Sequence, residues 1–132
     1  MAPSLKGVPR AAAKAVVTGS SRVLGDNMKR VGLERLAGEF AHHIVAHGDD
    51  RAKDAVKLLK KFHIDVDDAV NGVYLPGYKT SPNPHGKAVH GNLHTNAYYE
   101  AVDTVLKGAN TQAEVIQRLR FIAHNLEHGI LP

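Results

Sequence analysis

The stretch Phe40-Ala41-His42-His43-Ile44-Val45-Ala46 decides how this chain is read. It is apolar apart from two adjacent histidines, and β-branched Ile44 and Val45 predict a strand or hairpin arm over residues 40–46. Successive side chains on a strand leave it on opposite faces, so His42 and His43 have different tasks unless a bulge intervenes. One is expected to bind and the other to act on substrate, or one of them to be structural. The chain has nine histidines in 132 residues, dispersed rather than gathered in a tag. Histidine is the commonest metal ligand and the side chain best suited to proton transfer near neutral pH.

Gly48-Asp49-Asp50 predicts a turn capping a helix over 51–62. Ala55, Leu58, Leu59 and Phe62 make its apolar face, and Lys53, Lys57, Lys60 and Lys61 face out. Asp65, Asp67 and Asp68 put three carboxylates in four residues. The glycine and distal glutamate of a calcium loop are missing, so a cap or turn is expected there. Asn71-Gly72 signals a tight turn, and Val73-Tyr74-Leu75 a short strand ended by Pro76 and Gly77. Residues 76–89 form a loop whose length, in a small domain, marks function or disorder. A helix is expected from about 90–93, with Asn92 as candidate cap, to Lys107. Thr111 to Glu114 is a capping box for a last helix with Val115, Leu119, Ile122 and Leu126 inward, ending at Gly129. Upstream, residues 1–10 read as an extended lead-in and 10–18 as a short alanine-rich helix. Asp26 is a candidate cap for a helix through Met28, Val31 and Leu36.

Composition narrows the classes. One domain, or one domain with an arm, fits the length. Absence of cysteine excludes disulfides and thiolate zinc sites. No apolar run approaches the ~18 residues of a membrane span, and the start lacks a signal peptide's apolar region. Residues 1–36 carry Lys6, Arg10, Lys14, Arg22, Lys29, Arg30 and Arg35 against Asp26 and Glu34, so the basic excess of a +4 chain is N-terminal. Residues 1–38 are accordingly read as a basic, partly helical arm or linker, either gripping a polyanion or simply solvated. Residues 39–132 are read as the functional domain.

The second half of the constellation is His90-x-x-x-His94. At i and i+4 of a helix, two imidazoles lie about 5–6 Å apart at Cβ and share one metal. A helix N-terminus also favours phosphate. One histidine of the strand pair completes the metal site. The other, as a free base, takes a proton from water while the metal polarises a scissile phosphate. Asn71, or a backbone carbonyl, is expected to fix the base's tautomer. Such chemistry suits phosphodiester hydrolysis. A zincin is excluded by Gly91, which stands where the helix pair would need glutamate. Gly-x-Ser-x-Gly and a phosphate-cradling Gly-rich loop are both absent. His47 reads as a turn residue or a substrate contact, His63 as a helix-end residue, and His85 as a loop residue within possible reach of the site. His124 and His128 share a face at the end of the last helix.

Ala41-His42-His43-Ile44-Val45, then Asp68-Ala69-x-Asn71-Gly72-Val73-x-Leu75-Pro76, then His90-x-x-x-His94-Thr95-x-x-Tyr98, resemble the AHH family of bacterial polymorphic-toxin nucleases, of the HNH/endonuclease VII group. The matching motifs span roughly residues 40–99. The resemblance implies an α+β fold, mostly helical by content, with a ββα-metal (His-Me finger) core embedded in additional helices. It implies a metal-dependent endonuclease acting on DNA with little sequence specificity. By residue, it implies His43 as general base and His42 as metal ligand or buttress. Asn71 would orient the base or brace the loop, His90 and His94 would hold the metal, and Tyr98 would contact substrate or pack. His85 and His47 are further candidate substrate contacts. The cofactor would be a divalent ion, Mg2+/Mn2+ or Zn2+/Ni2+; a histidine-rich shell favours zinc, nickel or manganese over magnesium. The family setting implies the toxin domain of a larger secreted polypeptide lying upstream, acting in the target-cell cytoplasm and neutralised by a cognate immunity protein. Its partners would be DNA, or RNA, and no membrane. Two rival readings stand beside it. One is a metal-independent ribonuclease using two histidines as acid and base. The other is a non-catalytic basic nucleic-acid- or partner-binding module with a structural metal.

Overall fold

The structure is a computed structural model that describes residues 19–132. The expected lead-in over 1–10 and the helix over 10–18 lie outside the described residues. Two strands, β1 (Glu39–His43) and β2 (Gly72–Pro76), pair antiparallel, with Glu39 opposite Pro76 and His43 opposite Gly72. Four helices surround them: α1 (Ser21–Arg30), α2 (Lys53–Lys61), α3 (Asn96–Leu106) and α4 (Gln112–Glu127). Single 3-10 turns at Asp50–Ala52, Ala69–Asn71 and His90–Asn92 link them. The described chain is therefore α+β and mostly helical. None of its helices is long and apolar enough to cross a membrane.

Strand alternation sorts the core into two parts. Val73 and Leu75 face the main cluster, built with Ile44, Val45, Leu59, Val102, Val115 and Leu119. Ala41 and Tyr74 face the other way, against Leu24 and Met28 of α1. Gly72 permits that contact, since a side chain there would strike the Met28 sulfur at 2.5 Å. Leu24 and Met28 are both buried.

Several boundaries differ from those the sequence suggests. Helix α1 starts at Ser21, not near Asp26, because the Ser20 hydroxyl accepts from the Val23 N–H at 3.3 Å. β1 ends at His43, and Ile44 and Val45 leave the ladder to bond Asn71: Ile44 N–H donates to the Asn71 carbonyl at 2.8 Å. Asn71-Gly72 does not make a tight hairpin; Asn71 closes a 3-10 turn that feeds β2. The helix expected from 90–93 begins later. Thr95, not Asn92, is its cap, accepting from Tyr98 N–H at 3.2 Å, and His90–Asn92 is a separate 3-10 turn. The Thr111 cap holds as expected, accepting from the Glu114 N–H at 3.1 Å.

Candidate active site

His42 and His43 leave β1 on opposite faces, without a bulge. His42 is buried beside Tyr98 and His90: its Nε2 lies 2.9 Å from the Tyr98 hydroxyl, and its Nδ1 lies 2.8 Å from His90 Nδ1. The proton positions follow from the one partner that can only accept. Tyr98 Oη–H donates to the Ile44 carbonyl at 2.7 Å. Having one hydrogen, that hydroxyl must accept from His42, so His42 carries its proton on Nε2. Burial pushes the His42 pKa well below its ordinary value, aided by the neighbouring His90 and His94, so the ring is neutral. Its Nδ1 lone pair therefore points at His90, which donates from its own Nδ1.

The remaining imidazoles stand around this pair. The ring of His94 is edge-on to His90 at 5.2 Å. His94 is exposed, and its Nδ1 lies 3.3 Å from the Tyr99 hydroxyl. Among the described residues, no group of three or more histidine, cysteine, aspartate or glutamate side chains is gathered to hold a metal. The expected shell of His42, His90 and His94 is thus not assembled as a triad. Its reason is local: the 3-10 turn replaces the α-helical i, i+4 spacing, and His94 sits one residue before the Thr95 cap. Two members do fit a divalent ion. His42 offers a fixed lone pair, and His90 faces it through a nitrogen that becomes a second donor once its proton moves to Nε2. Burial and His94 lower the His90 pKa, which favours the neutral, ligating form.

On the other face, His43 Nε2 lies 2.7 Å from Asp67 Oδ1. A carboxylate accepts only, so His43 donates from Nε2 and keeps a lone pair on Nδ1. Burial lowers the His43 pKa, while the Asp67 hydrogen bond and charge raise it; burial prevails and the ring is neutral. Asp67 is 2 % exposed and held by α1. Ser20 N–H donates to its Oδ1 at 2.9 Å, and Asn27 Nδ2 donates to its carbonyl at 2.8 Å. Its Oδ2 is buried with no partner among the described residues.

The Asn71 side chain makes no hydrogen bond to either histidine. Its Oδ1 accepts from Val45 N–H at 2.9 Å, and its Nδ2 donates to the Val45 and Val66 carbonyls at 3.1 and 2.8 Å. It braces the loop behind the histidine pair, and Asp67 rather than Asn71 fixes the His43 tautomer. Arg120, buried on α4, steadies the same turn by donating from Nη1 to the Gly72 carbonyl at 2.7 Å. Tyr98 is buried, its hydroxyl held between His42 Nε2 and the Ile44 carbonyl. His47 is exposed, its ring 4.9 Å from that of His43. His85 is exposed on its loop and makes no hydrogen bond or ring contact with the cluster.

Sequence reasoning missed Asp67 and Ser20. Asp67 was visible as one of three clustered carboxylates, but nothing in its spacing pairs it with a histidine 24 residues away.

A family model described as "a nuclease family of the HNH/ENDO VII superfamily with conserved AHH" matches residues 23–126. Comparison with curated proteins and with solved structures gave no match.

Proposed function

Because the chain belongs to this AHH nuclease family of the HNH/ENDO VII superfamily, we propose that it is a metal-dependent endonuclease that hydrolyses DNA with little sequence specificity. The observation that supports this reading best is the division of labour across β1. His42 turns a lone pair toward His90, and His43 turns its Nε2–H onto Asp67 and keeps Nδ1 free. A ligand and a base, carried on adjacent residues of one strand, are the two functions a metal-assisted phosphodiesterase needs.

In this mechanism His43 Nδ1 accepts a proton from the attacking water as its oxygen bonds to phosphorus and the P–O bond to the leaving group breaks. Asp67 keeps the base in the productive tautomer and stabilises the imidazolium that forms. His42 and His90 would hold a divalent ion, with His94 brought in from its edge-on position, and nitrogen donors suit zinc, nickel or manganese. When bound, such an ion polarises the scissile phosphate and stabilises the leaving oxygen. The ββα-metal core would then comprise β1, β2 and α3, with α1, α2 and α4 packed around it. The biological setting we propose is the toxin domain of a larger secreted bacterial polypeptide. It would act in the cytoplasm of a target cell and be restrained by a cognate immunity protein.

The test is plasmid cleavage by the full chain with each of several divalent metals, with EDTA, and with His43→Ala. Cleavage that requires metal and vanishes in His43→Ala, while the variant still folds and binds DNA, is the expected result. Full activity in that variant would overturn the assignment of the base, and RNA cleavage that persists in EDTA would favour the metal-independent ribonuclease.

A further inference from the structure

Beside the imidazole cluster lies a pair of aromatic rings that this chemistry does not use. Phe40 is 41 % exposed and Tyr78 is 61 % exposed. Their ring centroids are 5.4 Å apart in an edge-to-face arrangement, at an interplanar angle of 80°. Phe40 in turn lies 5.8 Å from the ring of His90. The row Tyr78–Phe40–His90 thus leads from solvent to the proposed metal-holding side of the site.

The placement is set by backbone. Phe40 precedes His42 by two positions on β1, so alternation puts both on the same face. Tyr78 opens a turn closed by Ser81: Ser81 N–H donates to the Tyr78 carbonyl at 3.0 Å, and Tyr78 N–H donates to Ser81 Oγ at 3.1 Å. Gly77 lies beneath the Phe40 ring, where any side chain would approach it to 2.9 Å. Gly77 N–H donates to the Gly38 carbonyl, and the Gly77 carbonyl accepts from Gly91 N–H, each at 3.1 Å. The start of the 76–89 loop is therefore pinned both to β1's approach and to the turn that carries His90. Two contiguous exposed rings beside the histidine cluster offer a surface on which a planar group can stack. Edge-to-face pairing leaves at least one face of each ring uncovered by the other. Lys79, exposed next to Tyr78, adds a positive charge suited to a phosphate backbone.

We infer that Tyr78, buttressed by Phe40, stacks an unpaired nucleobase next to the scissile phosphate, so that the preferred substrate is single-stranded or locally unpaired nucleic acid. This rests on the nuclease reading and narrows it. Every base offers a π-face, so stacking on an aromatic ring is sequence-tolerant. A base inside a duplex has both faces covered by its neighbours and reaches such a ring only by leaving the stack.

The experiment compares the full chain with Tyr78→Ala and Tyr78→Trp on one fluorescent DNA oligonucleotide, single-stranded and annealed to its complement. Cleavage is measured in the otherwise native chain and binding in the His43→Ala background. A 2-aminopurine placed on either side of the cleaved bond reports stacking by quenching. The expected result is that the native chain prefers the single strand. Tyr78→Ala raises its KM and Kd by roughly ten-fold, in the range of one lost base–aromatic stack, with kcat unchanged. Duplex cleavage changes little, Tyr78→Trp restores binding, and quenching disappears in Tyr78→Ala. Native kinetics on the single strand in Tyr78→Ala, or equal losses on both substrates, would overturn the inference. A native chain that cleaves neither DNA nor RNA under any metal would instead overturn the nuclease reading itself.

Discussion

Tyr98 has one hydroxyl hydrogen and gives it to the Ile44 carbonyl, and that choice orients the His42–His90 pair. His42 has to donate from Nε2 and therefore presents Nδ1. Tyr98→Phe removes the acceptor, leaves a buried carbonyl without its donor and frees the tautomer. We expect metal affinity to fall by about 10–100-fold, as for other partners of a ligating imidazole, with a stability loss of about 1–3 kcal/mol; titration calorimetry and urea unfolding measure the two. Across the strand, Asp67 does for His43 what Tyr98 does for His42. Both Ser20 N–H and His43 Nε2 reach the same oxygen, Oδ1, and Oδ2 has no partner among the described residues. Asp67→Ala should therefore slow single-turnover cleavage by about 10²–10⁴-fold, the usual range for a mispositioned base. Metal affinity should be unchanged, because the Asp67 side chain bonds Ser20 and His43 and none of the histidines proposed to hold the ion. Asp67→Asn should lose less, since its amide oxygen still accepts both hydrogen bonds. Equal losses in the two variants would show that the charge, not the orientation, matters.

The helix that most changes the picture is α1. Its N-cap Ser20 and its Asn27 tie to Asp67, and its buried side closes the sheet face that carries His43. Leu24→Ala should destabilise the fold by about 2–5 kcal/mol, the cost of a large-to-small change in a well-packed core, as read from the midpoint of urea unfolding. A near-zero change would mean that α1 is dispensable to the sheet. The start of this helix was hard to read because Ser20 and Asp26 are both good caps, and Gly25 and Gly32 interrupt the pattern. Gly25 is tolerated where the helix runs close to β1, with Ala41 Cβ 3.5 Å from where its own Cβ would be. The faces of β1 and the inward positions of α4 were legible because they depend only on backbone periodicity, which tertiary packing does not alter. Val115, Leu119, Ile122 and Leu126 are all fully buried. His94 was misplaced because Asn92 and Thr95 compete as caps, and a three-residue shift moves a ligand off a helix face. The Asp67–His43 pair is a contact between a strand and a distant turn, and no period in the chain encodes it.

On the scale of the whole molecule, charge and site sit at different ends of the sequence. The exposed lysines of α2, Lys53, Lys57, Lys60 and Lys61, are offset by the acidic residues of the central region, whereas the first 18 residues hold Lys6, Arg10 and Lys14 with no acid among them. A nuclease with little sequence specificity draws its affinity from phosphate contacts, and each neutralised phosphate releases a counterion. If those three cations meet phosphates, a chain starting at Gly19 should show a shallower dependence of log K on log salt, by about 2–3 from their number. Comparing the two chains in the His43→Ala background, by fluorescence anisotropy across a salt series, measures this without cleavage. The shortened chain keeps Ser20, and with it the N–H that holds Asp67, so its cleavage rate at saturating DNA should match that of the full chain. An unchanged slope would assign residues 1–18 to a connection instead of a clamp. A loss of saturated rate would mean that the segment acts on the site through more than charge.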